Sequence, residues 1–122
     1  MKVIYTNNAP EPVGPYSQAI LADNTLYCSG QIGINPADNE LVNGLENQTQ
    51  QVIKNISEVL GQAGLSFKDV VKTTCFLDDM QDFSKFNSIY EKYFISKPAR
   101  SCVQAKLPKG ALVEIEVIAV KN

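Results

Sequence analysis

The chain has 122 residues, 13 acidic against 11 basic side chains, no histidine, no tryptophan and three cysteines. One domain fits that length, and 44% apolar with 20% charged residues is an ordinary soluble globular composition. Without histidine, Ser-His-Asp and Cys-His nucleophilic pairs, two-histidine ribonuclease chemistry and histidine metal ligation are excluded, and the mildly acidic balance argues against a dedicated nucleic-acid binder. Cys28, Cys75 and Cys102 are far apart and in no Cys-x-x-Cys spacing, so neither a disulfide framework nor a zinc site is expected. No charged-then-apolar leader opens the chain, and no apolar run nears the ~20 residues of a membrane span. A cytoplasmic chain with reduced thiols is the expectation.

Val3-Ile4-Tyr5 reads as a short strand, followed by a stiff extended loop over Ala9–Pro15, which holds three prolines and a glycine. Ala19–Ala22 and Thr25–Ser29 flank Asp23-Asn24, a pair that tolerates positive φ, and so form a hairpin. Gln31–Ile34 continues the sheet until Asn35-Pro36 and Asp38-Asn39 turn the chain. Val52, Ile53, Ile56, Val59, Leu60 and Ala63 make one helical stripe, with Gln48, Gln51, Lys54, Asn55 and Glu58 on the other side and Gly64 as the stop. Ser66 and Asp69 have capping-box spacing ahead of a β-branched strand, Val70–Leu77.

Asp78-Asp79 or Asp82 opens a second helix with an aromatic stripe of Phe83, Phe86, Tyr90, Tyr93 and Phe94, read as sheet-packing core. Asn87 lies beside it, placed to tie a neighbouring loop to the helix. Lys97-Pro98 ends the helical region. Arg100–Lys106 and Ala111–Val120 are the last strands, joined around Leu107-Pro108-Lys109-Gly110. The order ββ(β)-α-β-α-ββ predicts an α+β fold: one mixed sheet with both helices on one face.

In the last strand Val113, Ile115, Val117 and Ala119 share one face, which belongs under the helices, so Glu114 and Glu116 point to the other. In the preceding strand Val103 and Ala105 suit the helix side, which would place Arg100 and Cys102 with the glutamates. Arg100 is the only arginine among ten lysines, and its planar fork grips a carboxylate in a way lysine does not. A cross-strand pair with Glu114 or Glu116, without any ligand, is the competing reading. Leu112, Ile118 and Val120 mixed among the glutamates imply that the open sheet face is buried against another subunit, with ligand sites between chains.

Gly14-Pro15-Tyr16-Ser17-Gln18-Ala19, Ser29-Gly30-Gln31-Ile32, Val71–Leu77, Asn87 with Tyr90 and Tyr93-Phe94, Pro98–Val103 and Leu107–Glu116 closely resemble the RidA/YjgF family, also called L-PSP endoribonucleases or translation inhibitors. The resemblance runs nearly the whole chain. It implies a chorismate-mutase-like α+β fold, a homotrimer with clefts between subunits, and 2-iminobutanoate/2-iminopropanoate deaminase activity. By the same resemblance Arg100 binds the substrate carboxylate, Glu114 positions or activates the attacking water, and Tyr16, Ser29, Gly30 and Cys102 line the pocket. Glu116 matches no catalytic position. The Val103–Leu107 stretch is one residue shorter than the family's usual form, and Phe94–Pro98 is also short, which bears on substrate size.

Imine hydrolysis needs a carboxylate clamp, a placed water and one managed proton, and no metal, nucleotide or covalent intermediate. Cys102 has no histidine to activate it and reads as a pocket-lining thiol. Two rivals remain: a module that binds a 2-oxo acid or other small carboxylate without turnover, and an endoribonuclease. The second is disfavoured by the missing histidine, the single arginine and the acidic balance.

Overall fold

The computed structural model describes all residues, Met1–Asn122. The sheet order is β1 (Lys2–Ile4), β2 (Ala19–Ala22), β3 (Thr25–Cys28), β9 (Val113–Val120), β7 (Val70–Leu77) and β8 (Ala99–Gln104). A short β4 (Gln31–Ile32) also pairs with β9, and β5 (Ile34–Asn35) with β6 (Glu40–Leu41) forms a separate hairpin. Only β7 and β8 run parallel, because helix α2 (Phe83–Tyr93) crosses over between them. Helix α1 (Leu45–Gln62) precedes β7. This is the predicted mixed sheet with two helices, and neither helix is long and apolar enough to cross a membrane.

Local chemistry sets the ends of these elements. Asp23 takes φ 53° in the β2–β3 turn, as a short polar side chain can. Gly64 at φ 77° stops the chain just beyond α1, in the left-handed region that glycine enters without strain. The Ser66 amide donates to the Asp69 carboxylate at 2.9 Å, fulfilling the capping spacing. The core lies between helices and sheet: Val52, Ile56, Val59 and Leu60 of α1 and Phe86 of α2 meet Val113, Ile115, Val117 and Ala119 of β9, all fully buried.

Several expectations are corrected. Gln31–Ile34 is no single strand; it breaks at Gly33, where a Cβ would lie 2.8 Å from the Gln48 Cα, and the chain leaves the main sheet to pair with an unforeseen β6. Strand β9 begins at Val113, two residues late, because Pro108–Gly110 coils into a 3-10 turn. The polar side of α1 is not all wet. Gln48 and Asn55 are buried, because β4 and β5 wrap over that flank and their carbonyls need donors. Asn55 Nδ2 donates to the Ile32 and Ile34 carbonyls at 3.3 and 2.9 Å, and Gln48 Oε1 accepts from the Leu112 amide at 2.8 Å.

The second sheet face has no layer over it. The register aligns Val3 with Ile20, Ile20 with Tyr27, and Tyr27 with Ile118. It continues through Lys72 opposite Ile118 and Thr74 opposite Glu116. Tyr27 is 51% exposed, Val3 59% and Val103 47%. A run of apolar side chains on an open sheet is an adhesive surface.

Candidate active site: two half-sites on opposite faces of the sheet

Glu114 leaves β9 on the open face, beside the β4 strand. A Cβ built on Gly30 would fall 2.2 Å from Glu114 Oε2, so only a bare glycine backbone admits the carboxylate here. No hydrogen bond or ion pair within the chain engages that carboxylate; the one ion pair present joins Lys106 to Asp78 at 3.7 Å. Burial, and secondarily the neighbouring Glu116 charge, raises the Glu114 carboxyl above the ordinary carboxylate range. A half-buried, unengaged carboxyl with a raised pKa is equipped to take and return a proton.

Around it lies a cleft of about 380 Å³ lined by Tyr16, Ser29, Gly30, Pro108, Lys109 and Glu114 among others. Ser29 is fixed by its own bonds: its amide donates to the Gln18 carbonyl at 2.9 Å and its hydroxyl to the Ser17 carbonyl at 2.6 Å. Tyr16 is 51% exposed and receives a long bond from the Val13 amide, 3.4 Å, so its ring stands over the cleft. Gln18 is the hidden support. Its amide donates to the Thr6 and Pro10 carbonyls at 2.9 Å and its oxygen accepts from the Thr6 amide at 2.8 Å, pinning the proline-rich loop under Tyr16.

Arg100 stands elsewhere, which corrects the expected face. In the parallel ladder Arg100 pairs with Thr73 and Cys102 with Cys75, and both partners are fully buried on the helix side. Arg100 and Cys102 therefore share the face of α2, while Ser101 and Val103 share that of the glutamates. Strand β8 misleads because it is an edge strand whose two faces are equally mixed in polarity, so alternation alone cannot orient it. The cross-strand pair of Arg100 with Glu114 or Glu116 is thereby ruled out within one chain.

A nest built on α2 holds the guanidinium. Arg100 Nη1 donates to Asn87 Oδ1 at 2.7 Å, so Asn87 ties a strand to the helix where a loop was expected. The guanidinium carbon lies 4.8 Å from the Tyr90 ring centroid and 5.4 Å from that of Phe83. Tyr90 is itself locked, its hydroxyl 2.7 Å from that of Thr73 and its ring stacked 4.2 Å from Phe94. Phe86, Tyr90 and Phe94 of the aromatic stripe are core, as predicted, whereas Tyr93 is exposed and Phe83 only partly buried, and the Tyr90 and Phe83 rings also cradle a cation. No carboxylate meets Arg100, and the remaining guanidinium N–H groups face an open depression of about 570 Å³ lined in part by Lys97 and Pro98 of the short segment. Cys102 is half-buried on the same face, its thiol raised by burial and opposed by Arg100.

The structure therefore brings Tyr16, Ser29, Gly30 and Glu114 together, and separately Arg100 with Cys102. It does not bring the two sets together in one chain. Sequence reading missed Gln18 and Lys109. Lys109 takes φ 58°, unusual for a lysine, and no composition signal marks such a position. No three cysteine, aspartate or glutamate side chains converge as a metal site requires.

Residues 6–121 match the family model described as Endoribonuclease L-PSP. The chain is 53% identical to a RutC family protein of Pyrococcus horikoshii, covering 99% of this chain and 98% of that one. It is 49% identical to the 2-iminobutanoate/2-iminopropanoate deaminase of Homo sapiens, over 99% of this chain and 90% of the other. Among solved structures it is similar to Escherichia coli TdcF with bound serine, at a TM-score of 0.96 and 36% identity with full coverage of both chains.

Proposed function

The chain belongs to the Endoribonuclease L-PSP (RidA/YjgF) family, and from that premise we propose that it hydrolyses reactive 2-imino acids, such as those from 2-aminoacrylate and 2-aminocrotonate, to 2-oxo acids and ammonia. The proposed site lies between copies of a homotrimer, Arg100 and Cys102 coming from one chain and Tyr16, Ser29, Gly30 and Glu114 from its neighbour. One observation carries this reading: an arginine with no carboxylate partner and a raised, unengaged carboxyl sit on opposite faces of one sheet whose open face is apolar. A second copy whose open face abuts the β8 edge of this sheet, where the Arg100 depression opens, offers the missing half to each.

The chemistry needs little more. Arg100 takes the substrate carboxylate through two charge-assisted bonds. Ionised Glu114 accepts a proton as water adds to C2 of the protonated imine, giving a carbinolamine. It then delivers that proton to the nitrogen, and ammonia leaves as the C2–O bond becomes a carbonyl, the hydroxyl proton passing to Glu114 and from there to the ammonia as ammonium. In this reading, backbone groups beside Gly30 and Cys102 would orient the nitrogen and oxygen. All three cysteines are free, which suits a reducing cytoplasm.

Serine bound in the TdcF relative favours one second reading, capture of a small amino or oxo acid without turnover. An ammonia assay coupled to a pyridoxal-phosphate dehydratase separates the two. Release of ammonia faster than the uncatalysed rate supports hydrolysis; folded, ligand-binding protein with no acceleration supports capture. RNA cleavage ranks below both, since the Glu114 cleft carries Glu11 as well and one lysine as its cation.

A further inference from the structure

Cys75 and Cys102 stand abreast as partners in the parallel β7–β8 ladder, so both side chains leave the same face. Neighbouring strands run about 4.8 Å apart, inside the Cα separation of about 4.4–6.8 Å that a disulfide spans. The two thiols sense each other, since charge on Cys102 hinders ionisation of Cys75. Cys28 is different. It lies on β3, two strands from β7, and thus about 10 Å away, beyond the ~7 Å limit for bridging.

The partners differ in access. Cys75 is fully buried, whereas Cys102 is only half-buried, near Arg100 on the edge strand β8. Burial raises both thiols, Cys75 to about 12. That slows attack on an oxidant but also means no stabilised thiolate favours the reduced pair once oxidation begins.

We propose that Cys75 and Cys102 form a redox pair that a hydroperoxide closes into an intrachain disulfide, with Cys102 as the point of entry. The Cys102 sulfur attacks one peroxide oxygen, the O–O bond breaks, and water leaves, giving the sulfenic acid. The Cys75 sulfur then displaces hydroxide from that sulfur, and the hydroxide departs as water with the Cys75 thiol proton. Two thiols and one hydrogen peroxide become one disulfide and two waters. The bond staples together the two strands that α2 connects, and so fixes the nest around Arg100. It does not depend on the hydrolytic reading of the site.

Purified protein is treated with hydrogen peroxide, denatured, alkylated and digested with trypsin for mass spectrometry. The expected product joins the peptide Thr73–Lys85 to Ser101–Lys106 with the loss of two hydrogens, disappears on adding dithiothreitol, and leaves Cys28 alkylated. Its formation rate should rise about tenfold per pH unit below the Cys102 pKa, following the thiolate. In Cys75→Ala and Cys75→Val, Cys102 should gain two oxygens instead, the sulfinic acid that the parent avoids. Two results overturn the proposal: equal sulfinic acid in parent and variants, or disulfides that join Cys28 or two different chains. The parent crosslink is itself diagnostic, so a poorly folded variant does not blunt the test.

Discussion

Arg100 and Glu114 are each left unpaired by the chain that carries them, and that defines what their replacement should do. Arg100→Lys keeps the charge but loses the fork, and the loss of one charge-assisted bond should lower kcat/KM about 10- to 100-fold with circular dichroism unchanged. Glu114→Gln should cut kcat by about 10²–10⁴-fold while a non-reacting 2-oxo acid still binds; equal losses in rate and binding would recast Glu114 as scaffold. The raised carboxyl also has a thermodynamic sign. The folded chain holds that proton more tightly than the unfolded one, so the group's favourable contribution is full below the unfolded pKa and lost as pH rises through the folded value. Glu114→Gln should therefore melt at a higher temperature than the parent at neutral pH. That gap should close as pH falls below the ordinary carboxylate range, and a gap that is constant with pH would show that Glu114 is not desolvated.

The elements that make these residues useful differ in how plainly the sequence announces them. Strand β9 was legible, down to the outward glutamates, because its inward set is uniformly apolar and must be buried. Strand β8 was not, because Arg, Cys and Gln on one face and Ser, Val and Ala on the other give burial nothing to choose between; the ladder to β7 decides it. Helix α1 misled in another way. Its apolar stripe was read correctly, but Asn55 and Gln48 look solvated from periodicity and are buried to serve carbonyls and an amide from distant strands. Long-range hydrogen bonding leaves no local pattern. Asn55→Leu removes the donor to Ile32 and Ile34, and should cost about 1–3 kcal/mol in denaturant unfolding. Because Gly30, against Glu114, leads directly into β4, activity should fall as well; unchanged stability would mean that those carbonyls find water instead.

For the whole molecule, the resemblance in the sequence pointed to a shared cleft, and the separation of the half-sites supplies a physical reason for one. A lone chain would leave Tyr27, Ile118 and Val103 in water on a sheet face that nothing covers, at about 25 cal/mol per Å² of apolar surface. Ile118→Lys should thus shift sedimentation toward monomer and abolish hydrolysis together, although it touches neither Arg100 nor Glu114; a monomer that stays active would mean one chain suffices. The most direct test mixes two inactive proteins. If the proposed trimer forms, Arg100→Ala and Glu114→Gln chains co-expressed in equal amounts should assemble with some clefts that draw an intact arginine from one chain and an intact glutamate from its neighbour. Random assembly predicts recovery of about one quarter of parent activity, whereas activity no greater than that of the two variants measured apart would contradict a site shared between chains.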